Sequence, residues 1–126
     1  MHDLTLVLPF PPTINSYYGR TSRGVVYIRK AGRAFRLSAM EVIQMQACGI
    51  CLDYPLHLEV VLYPPDKRKR DLDNYMKPLL DSLTHAGLIE DDSLIDQLSI
   101  LRGIPQPSGC CVVTLNEAGP VMLRNF

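Results

Sequence analysis

The sequence predicts an α+β fold: one small domain, residues 1–126, in which a mixed β-sheet carries two main helices packed on one face. Three observations lead there. Apolar and polar residues alternate over short stretches, most plainly at Leu56, Leu58, Val60 and Leu62, the period of a half-buried strand. Two longer stretches repeat apolar residues at helical spacing, around Phe35 to Gln46 and Met76 to Leu83. These patterns are interleaved along the chain, so helices and strands must share one layered core. A chain of 126 residues, 47% hydrophobic and 21% charged, has the size and balance of a single globular core.

Leu4, Leu6 and Leu8 alternate with Thr5 and Val7, a first strand that Pro9 ends. Phe10 to Gly19 is a Pro- and Asn-bearing loop with three aromatics. It reads either as a rigid surface turn packed by its own rings or as a loop near a nucleic acid, with Asn15, Tyr17 or Tyr18 in contact. Arg20 to Gly24 form a basic turn, and Val25 to Ile28 a short second strand. A helix is expected from about Gly32 to Cys48, with Gly49 as its stop. Arg29, Arg33 and Arg36 share a face at its start, either simply solvated or contacting phosphate. Leu56 to Tyr63 is the clearest strand, with His57 an ordinary member, and Pro64-Pro65 ends it. The second helix starts near Asn74, with Asp73 or Asn74 as cap, because Pro78 is tolerated only in a first turn. Gly87 stops it. An acidic turn follows at Ile89 to Ser93. Gln97 to Ile104 and Cys110 to Leu115 read as a hairpin joined through Pro105-Gln106-Pro107-Ser108-Gly109. The tail from Ala118, residues 118–126, is expected to be loosely attached.

Met1-His2-Asp3 has no basic leader character, and no apolar run approaches the ~18 residues of a membrane helix. The expectation is a soluble, unexported chain without membrane contact. Cys48, Cys51, Cys110 and Cys111 read as reduced thiols of a cytosolic core. Cys48-x-x-Cys51 would make half a zinc site, which the adjacent Cys110-Cys111 completes poorly.

Thirteen cations balance thirteen acids, yet the charges are segregated. Arg20, Arg23, Arg29, Lys30, Arg33 and Arg36 occupy a window without a single acid. Lys67, Arg68, Lys69 and Arg70 form a second block, which runs straight into Asp71 and Asp73. A basic surface beside an acidic pocket is the pattern of a protein that holds a polyanion next to a divalent cation. Side chains two apart on an extended segment point to one side, and hard cations such as Mg²⁺ prefer carboxylate oxygen. Two aspartates are a weak site, so a third ligand is expected from Asp91 or Asp92. A helix from Asn74 to Ala86 spans about 20 Å, so the acidic turn must fold back along it, or the site must be shared across a dimer. A calcium loop of the EF-hand kind fails, with Met76 where Gly is needed and Ser82 where Glu is needed. Lys77 follows Asp73 by four residues. It reads either as an intrahelical ion pair with Asp73 or Asp81 or as a cation poised at a phosphate.

The run Lys67-Arg68-Lys69-Arg70-Asp71-Leu72-Asp73-Asn74, with Lys77, Asp81, Ala86-Gly87 and Asp91-Asp92, closely resembles the RusA family of Holliday junction resolvases. So do Leu8-Pro9-Phe10-Pro11-Pro12 with Asn15 and Tyr17-Tyr18, and the stretch Ala31 to Arg36, so the likeness spans nearly the whole chain. The resemblance implies a homodimeric endonuclease using Mg²⁺, with Mn²⁺ as substitute, and no small-molecule organic cofactor. Such an enzyme binds four-way junction DNA and nicks two strands symmetrically. It implies Asp71, Asp73 and Asp92 as metal-binding catalytic residues and Lys77 as a catalytic lysine. It also implies a bacterial or phage-encoded protein of the cytoplasm. Lys67, Arg68, Lys69 and Arg70, together with Arg29, Arg33 and Arg36, are the expected DNA-binding residues. Lys67 and Lys69 depart from an all-arginine block, keeping charge but losing bidentate phosphate geometry. The rival functions are a branched-DNA-binding module without turnover and a nuclease for flaps or forks.

Overall fold

The computed structural model describes residues 3–123. Strands Leu4–Leu8 (β1), Leu56–Tyr63 (β4), Ile95–Arg102 (β5) and Cys110–Glu117 (β6) form one sheet in the order β1-β6-β4-β5. β4 runs antiparallel to β6 and parallel to β5, so the sheet is mixed, as expected. A parallel neighbour demands a crossover connection, and the helix Met76–His85 (α3) supplies it. The other long helix, Lys30–Gln46 (α2), lies beside α3. A four-residue helix Ile14–Tyr17 (α1) leads into a separate hairpin of Tyr18–Arg20 (β2) and Val26–Ile28 (β3).

The alternation in β4 is what the sheet uses. Leu56, Leu58, Val60 and Leu62 are buried, while His57, Glu59, Val61 and Tyr63 are half-covered on the other face. Leu6, Leu8, Cys111, Val113 and Leu115 extend the buried face through β1 and β6. Phe35, Ala39 and Ile43 of α2, with Met76, Leu79 and Leu83 of α3, close over it in one core. At about 25 cal/mol per Å² of apolar surface, each such leucine contributes roughly 2 kcal/mol to folding before entropy is subtracted.

Several expectations are corrected. β5 and β6 are not a hairpin: β4 lies between them. The linker 103–109 instead crosses the end of β4, with Gly103 N–H on the Leu62 carbonyl at 2.8 Å and Gln106 N–H on that of Pro64 at 2.8 Å. The loop from Phe10 contains α1, whose start is capped when Ser16 N–H donates to Thr13 Oγ1 at 3.3 Å. Neither Asp73 nor Asn74 caps α3. A 3₁₀ turn over Leu72–Tyr75 precedes it, and Pro78 falls in the first turn of α3 as required. All four cysteines are free, but only Cys111 is fully in the core, while Cys48 and Cys51 are exposed. The start of the expected loose tail is tied down, because Ala118 N–H reaches Pro55 O at 3.0 Å and Gln97 reaches Gly119 O at 3.0 Å. Residues 124–126 of that tail lie outside the described residues.

Candidate functional site

The loop after β4 is folded by one arginine. Arg70 pairs with Asp66 at 2.8 Å and donates to the carbonyls of Asp66 and Arg68, at 3.2 and 3.3 Å. Its guanidinium lies 5.7 Å from the Phe10 ring centre, and only 15% of its side chain is exposed. Hydrogen bonding from Arg70, and then from the Arg68 N–H, holds the Asp66 carboxyl below the usual carboxylate range. Arg70 therefore holds the loop together while its side chain also lines the groove beside Asp71. Its inward turn leaves Lys67, Arg68 and Lys69 outside and exposed. Arg102, at the end of β5, donates to the Arg70 carbonyl at 2.8 Å and joins them. Together with Asp71 they line a groove of about 480 Å³. Nothing local in the sequence ties Arg102 to residue 70, so its part in the groove is legible only in the fold.

A second cluster sits on α3. Lys77 Nζ lies 3.4 Å from Asp81 Oδ2, and the Tyr18 hydroxyl donates to that same oxygen. The Lys77 ammonium also lies 5.6 Å from the Tyr18 ring centre. Lys77 thus pairs one turn forward with Asp81, not back with Asp73, which stands in the 3₁₀ turn outside α-helical stacking. Burial first, and the nearby Asp92 second, push the Asp81 carboxyl above its ordinary value. Asp91 has a different task. It caps the 3₁₀ turn Asp92–Leu94 by accepting from Ser93 N–H at 3.2 Å and from the Ser93 hydroxyl. Those bonds, the hydroxyl's first, draw its carboxyl down. Lys77, Asn15, Tyr18, Arg20 and Arg29 line a basin of about 580 Å³ beside the β2–β3 hairpin.

The three arginines at the start of α2 divide in role. Arg36 is half-buried: its Nε donates to the Tyr17 hydroxyl, and its Nη1 lies 3.4 Å from His85 Nδ1. Arg29 and Arg33 are exposed and anchored at one end, donating to Tyr18 O at 2.9 Å and Ile28 O at 2.7 Å. Only Arg29 of the three faces the basin beside Lys77.

The expected meeting of Asp71, Asp73 and Asp92 does not occur within one chain. Among the described residues, no three carboxylate, imidazole or thiol side chains stand close enough to hold a metal ion. The parallel pairing of β4 with β5 gives the reason. Asp92 just precedes Ile95, which pairs with Leu56 at the start of β4, whereas Asp71 follows the loop off the far end, where Arg102 pairs with Leu62. The acids therefore form two groups, exposed Asp71 and Asp73 at one end of α3 and Asp81 with Asp92 towards the other. Asp81, the acid that Asp92 lies near, stands five residues into α3, about 7.5 Å along its axis from Met76.

The sequence is similar to a known family and to named proteins along most of its length. The family model described as Endodeoxyribonuclease RusA matches residues 9–110. A crossover junction endodeoxyribonuclease rusA of Enterobacteria phage HK97 is 37% identical over 117 residues, covering 93% of this chain and 97% of the relative. Proteins named Crossover junction endodeoxyribonuclease RusA from Shigella sonnei (strain Ss046) and Escherichia coli (strain K12) are 33% and 32% identical over 119 residues, each covering 94% of this chain and 98% of the relative.

Proposed function

The chain belongs to the RusA family of endodeoxyribonucleases, and from that premise we propose that it cuts DNA at crossover, or Holliday, junctions by paired nicks in two strands. The observation that carries this reading is the cationic groove of Lys67, Arg68, Lys69 and Arg102 opening directly onto Asp71. Cations from two separate elements converge there, which is what a phosphate backbone crossing the end of a sheet requires. The groove seats the backbone by charge and carries no base code of its own. Lys77, at the head of α3, supplies a positive charge to the reacting phosphate, where developing negative charge is stabilised best by a donor already in place.

The chemistry is proposed to need a divalent cation, Mg²⁺ with Mn²⁺ as substitute, and Asp71, Asp73 and Asp92 are the proposed ligands. When bound, such a cation would supply Lewis-acid chemistry toward phosphate oxygen and water. The donors fit in kind, being hard oxygens, but a single chain does not gather them. Closing the site takes a further body, the second copy or the DNA itself. A homodimer suits the task, since a four-way junction has approximate two-fold symmetry and a C₂ pair delivers two cuts in register. The edge strand β5 supports pairing, because among the described residues it has a neighbour on one side only and leaves Leu98 and Leu101 44% and 48% exposed. Among the described residues no helix is long and apolar enough to cross a membrane. With relatives in a phage and in enteric bacteria, a bacterial or phage-encoded protein of the cytoplasm is the setting proposed.

The test is direct. A synthetic four-way junction is incubated with protein and Mg²⁺, with EDTA, and beside duplex and flap controls. Symmetric paired nicks that vanish with chelator are expected. Binding without cutting, or preferential cutting of flaps, would replace this reading with a binding module or another nuclease.

A further inference from the structure

A lysine on a helix surface ordinarily samples many rotamers and loses that freedom when its head is held. Lys77 is 59% exposed, yet its head is located by two groups at once. The Asp81 carboxylate stands at 3.4 Å and the face of the Tyr18 ring at 5.6 Å. A lone pair four residues apart on a helix would be an ordinary, weak surface ion pair. This one has a third member from a distant segment. The Tyr18 hydroxyl donates to Asp81 Oδ2, the oxygen that faces Lys77, and Asp81 itself is only 23% exposed.

Tyr18 is fixed in turn. The preceding residue, Tyr17, shares a buried bond of 3.0 Å with Ser82, the residue after Asp81. Two consecutive residues of the α1–β2 segment thus grip two consecutive residues of α3. Burying Tyr17 alone would need only one of those grips. The second one orients a carboxylate, and the carboxylate orients an ammonium at the wall of the basin that Arg20 and Arg29 also line. A cation held in place before the phosphate arrives costs no reorganisation when charge develops.

We propose that Tyr18 and Asp81 are positioning residues for Lys77, holding its ammonium over the basin for a backbone phosphate of the DNA; this rests on the junction-endonuclease reading above. Neither touches the reacting atoms. Both act through Lys77, so their substitution lowers kcat and leaves KM for the junction nearly unchanged.

The experiment is a double-mutant cycle on junction cleavage. Asp81→Asn is expected to lower kcat about tenfold to a hundredfold, the scale of a misplacement of about 1 Å, with KM within about twofold. In a Lys77→Ala background the same change should lower kcat by less than about twofold, because its route of action is gone. Tyr18→Phe keeps the ring and removes only the hydroxyl, so it repeats the test if Asp81→Asn folds poorly. Additive losses in the Lys77→Ala background would overturn the proposal, as would a raised Mg²⁺ requirement in Asp81→Asn, which would make Asp81 a metal ligand. NMR of ¹⁵N-labelled lysine ammonium groups gives a readout without cleavage. Lys77 should exchange its protons with water slowly in the parent and faster in Asp81→Asn, and equal rates would overturn the positioning role. A parent that fails to cut junctions while Lys77 remains protected would defeat the nuclease reading instead.

Discussion

Removing the Tyr17 hydroxyl tests how the α1–β2 segment is fastened to α3. Ser82 Oγ donates its only proton to Pro78 O at 2.8 Å, so in the 3.0 Å contact with Tyr17 it must accept. The Tyr17 oxygen in turn accepts from Arg36 Nε. The bonds form a directed chain from guanidinium to tyrosine to serine to helix carbonyl. Tyr17→Phe keeps the ring, the packing of a fully buried residue and the Arg36 guanidinium 5.4 Å from its centre. It deletes two hydrogen bonds, one neutral at about 1 kcal/mol and one charge-assisted at about 1.5–3 kcal/mol. Arg36 is only half-buried, so water replaces part of the second. We expect a loss of about 2 kcal/mol, which for a chain of this size lowers Tm by about 6–10 °C. Urea unfolding followed by circular dichroism measures it, with an unchanged m-value showing that the unfolded state is not altered. Ser82→Ala should cost about 1 kcal/mol, and the double mutant should fall short of the sum by a similar amount. A Tyr17→Phe loss under about 0.5 kcal/mol, within the range of an ordinary surface change, would refute the chain of bonds.

Other consequences follow from the same contacts. Lys67→Ala and Arg68→Ala should each weaken junction binding and flatten the plot of log K against log salt by about 1, whereas Arg70→Ala should also lower Tm because it unpins the loop. Gly32→Ala should destabilise despite the better helix propensity of alanine, worth about 1 kcal/mol. The new Cβ would lie 2.7 Å from the Tyr17 carbonyl oxygen, and backbone yields poorly, so a net loss of about 1–3 kcal/mol is expected by urea titration. At pH 8 a thiol reagent should modify Cys48 and Cys51 quickly and Cys111 only on unfolding, since burial pushes the Cys111 thiol up to about 12. The sign follows from proton counting. Above the ordinary thiol value of 9.0 the unfolded chain releases a proton that the folded chain keeps, so the Cys111 contribution to stability is whole below that pH and declines as pH rises past it.

Which parts of the molecule were legible beforehand depended on range. β4 was readable because its strict alternation coincides with one buried face, and α3 because Leu79, Leu80 and Leu83 set a period while Pro78 fixes the start. The pairing of β5 was not readable. Pro105 to Gly109 announce that the chain turns, but a turn signal is silent on whether another strand slides between its arms. The position of Asp92 turns on the same point, because β5 parallel to β4 carries Asp92 to one end of the sheet and Arg102 to the other. In the basic run, nothing in four consecutive cations reveals that Arg70 is the one to turn inward. That follows from Phe10 and Asp66, which meet it only in the fold. Spacing of four allowed Lys77 either Asp73 or Asp81, and the 3₁₀ turn decided for Asp81 by keeping Asp73 out of helical register. The family likeness, by contrast, was carried by the linear order Lys67 to Asn74, which needs no folding to be read.

The most direct measurement compares the parent protein with Asp71→Asn on one labelled four-way junction at fixed salt and Mg²⁺, scoring binding and strand cleavage in the same samples. The parent should nick two opposed strands, while Asp71→Asn binds at least as tightly and leaves all four strands whole. A parent that leaves the junction intact, or an Asp71→Asn protein that cuts at the parental rate, would contradict the account.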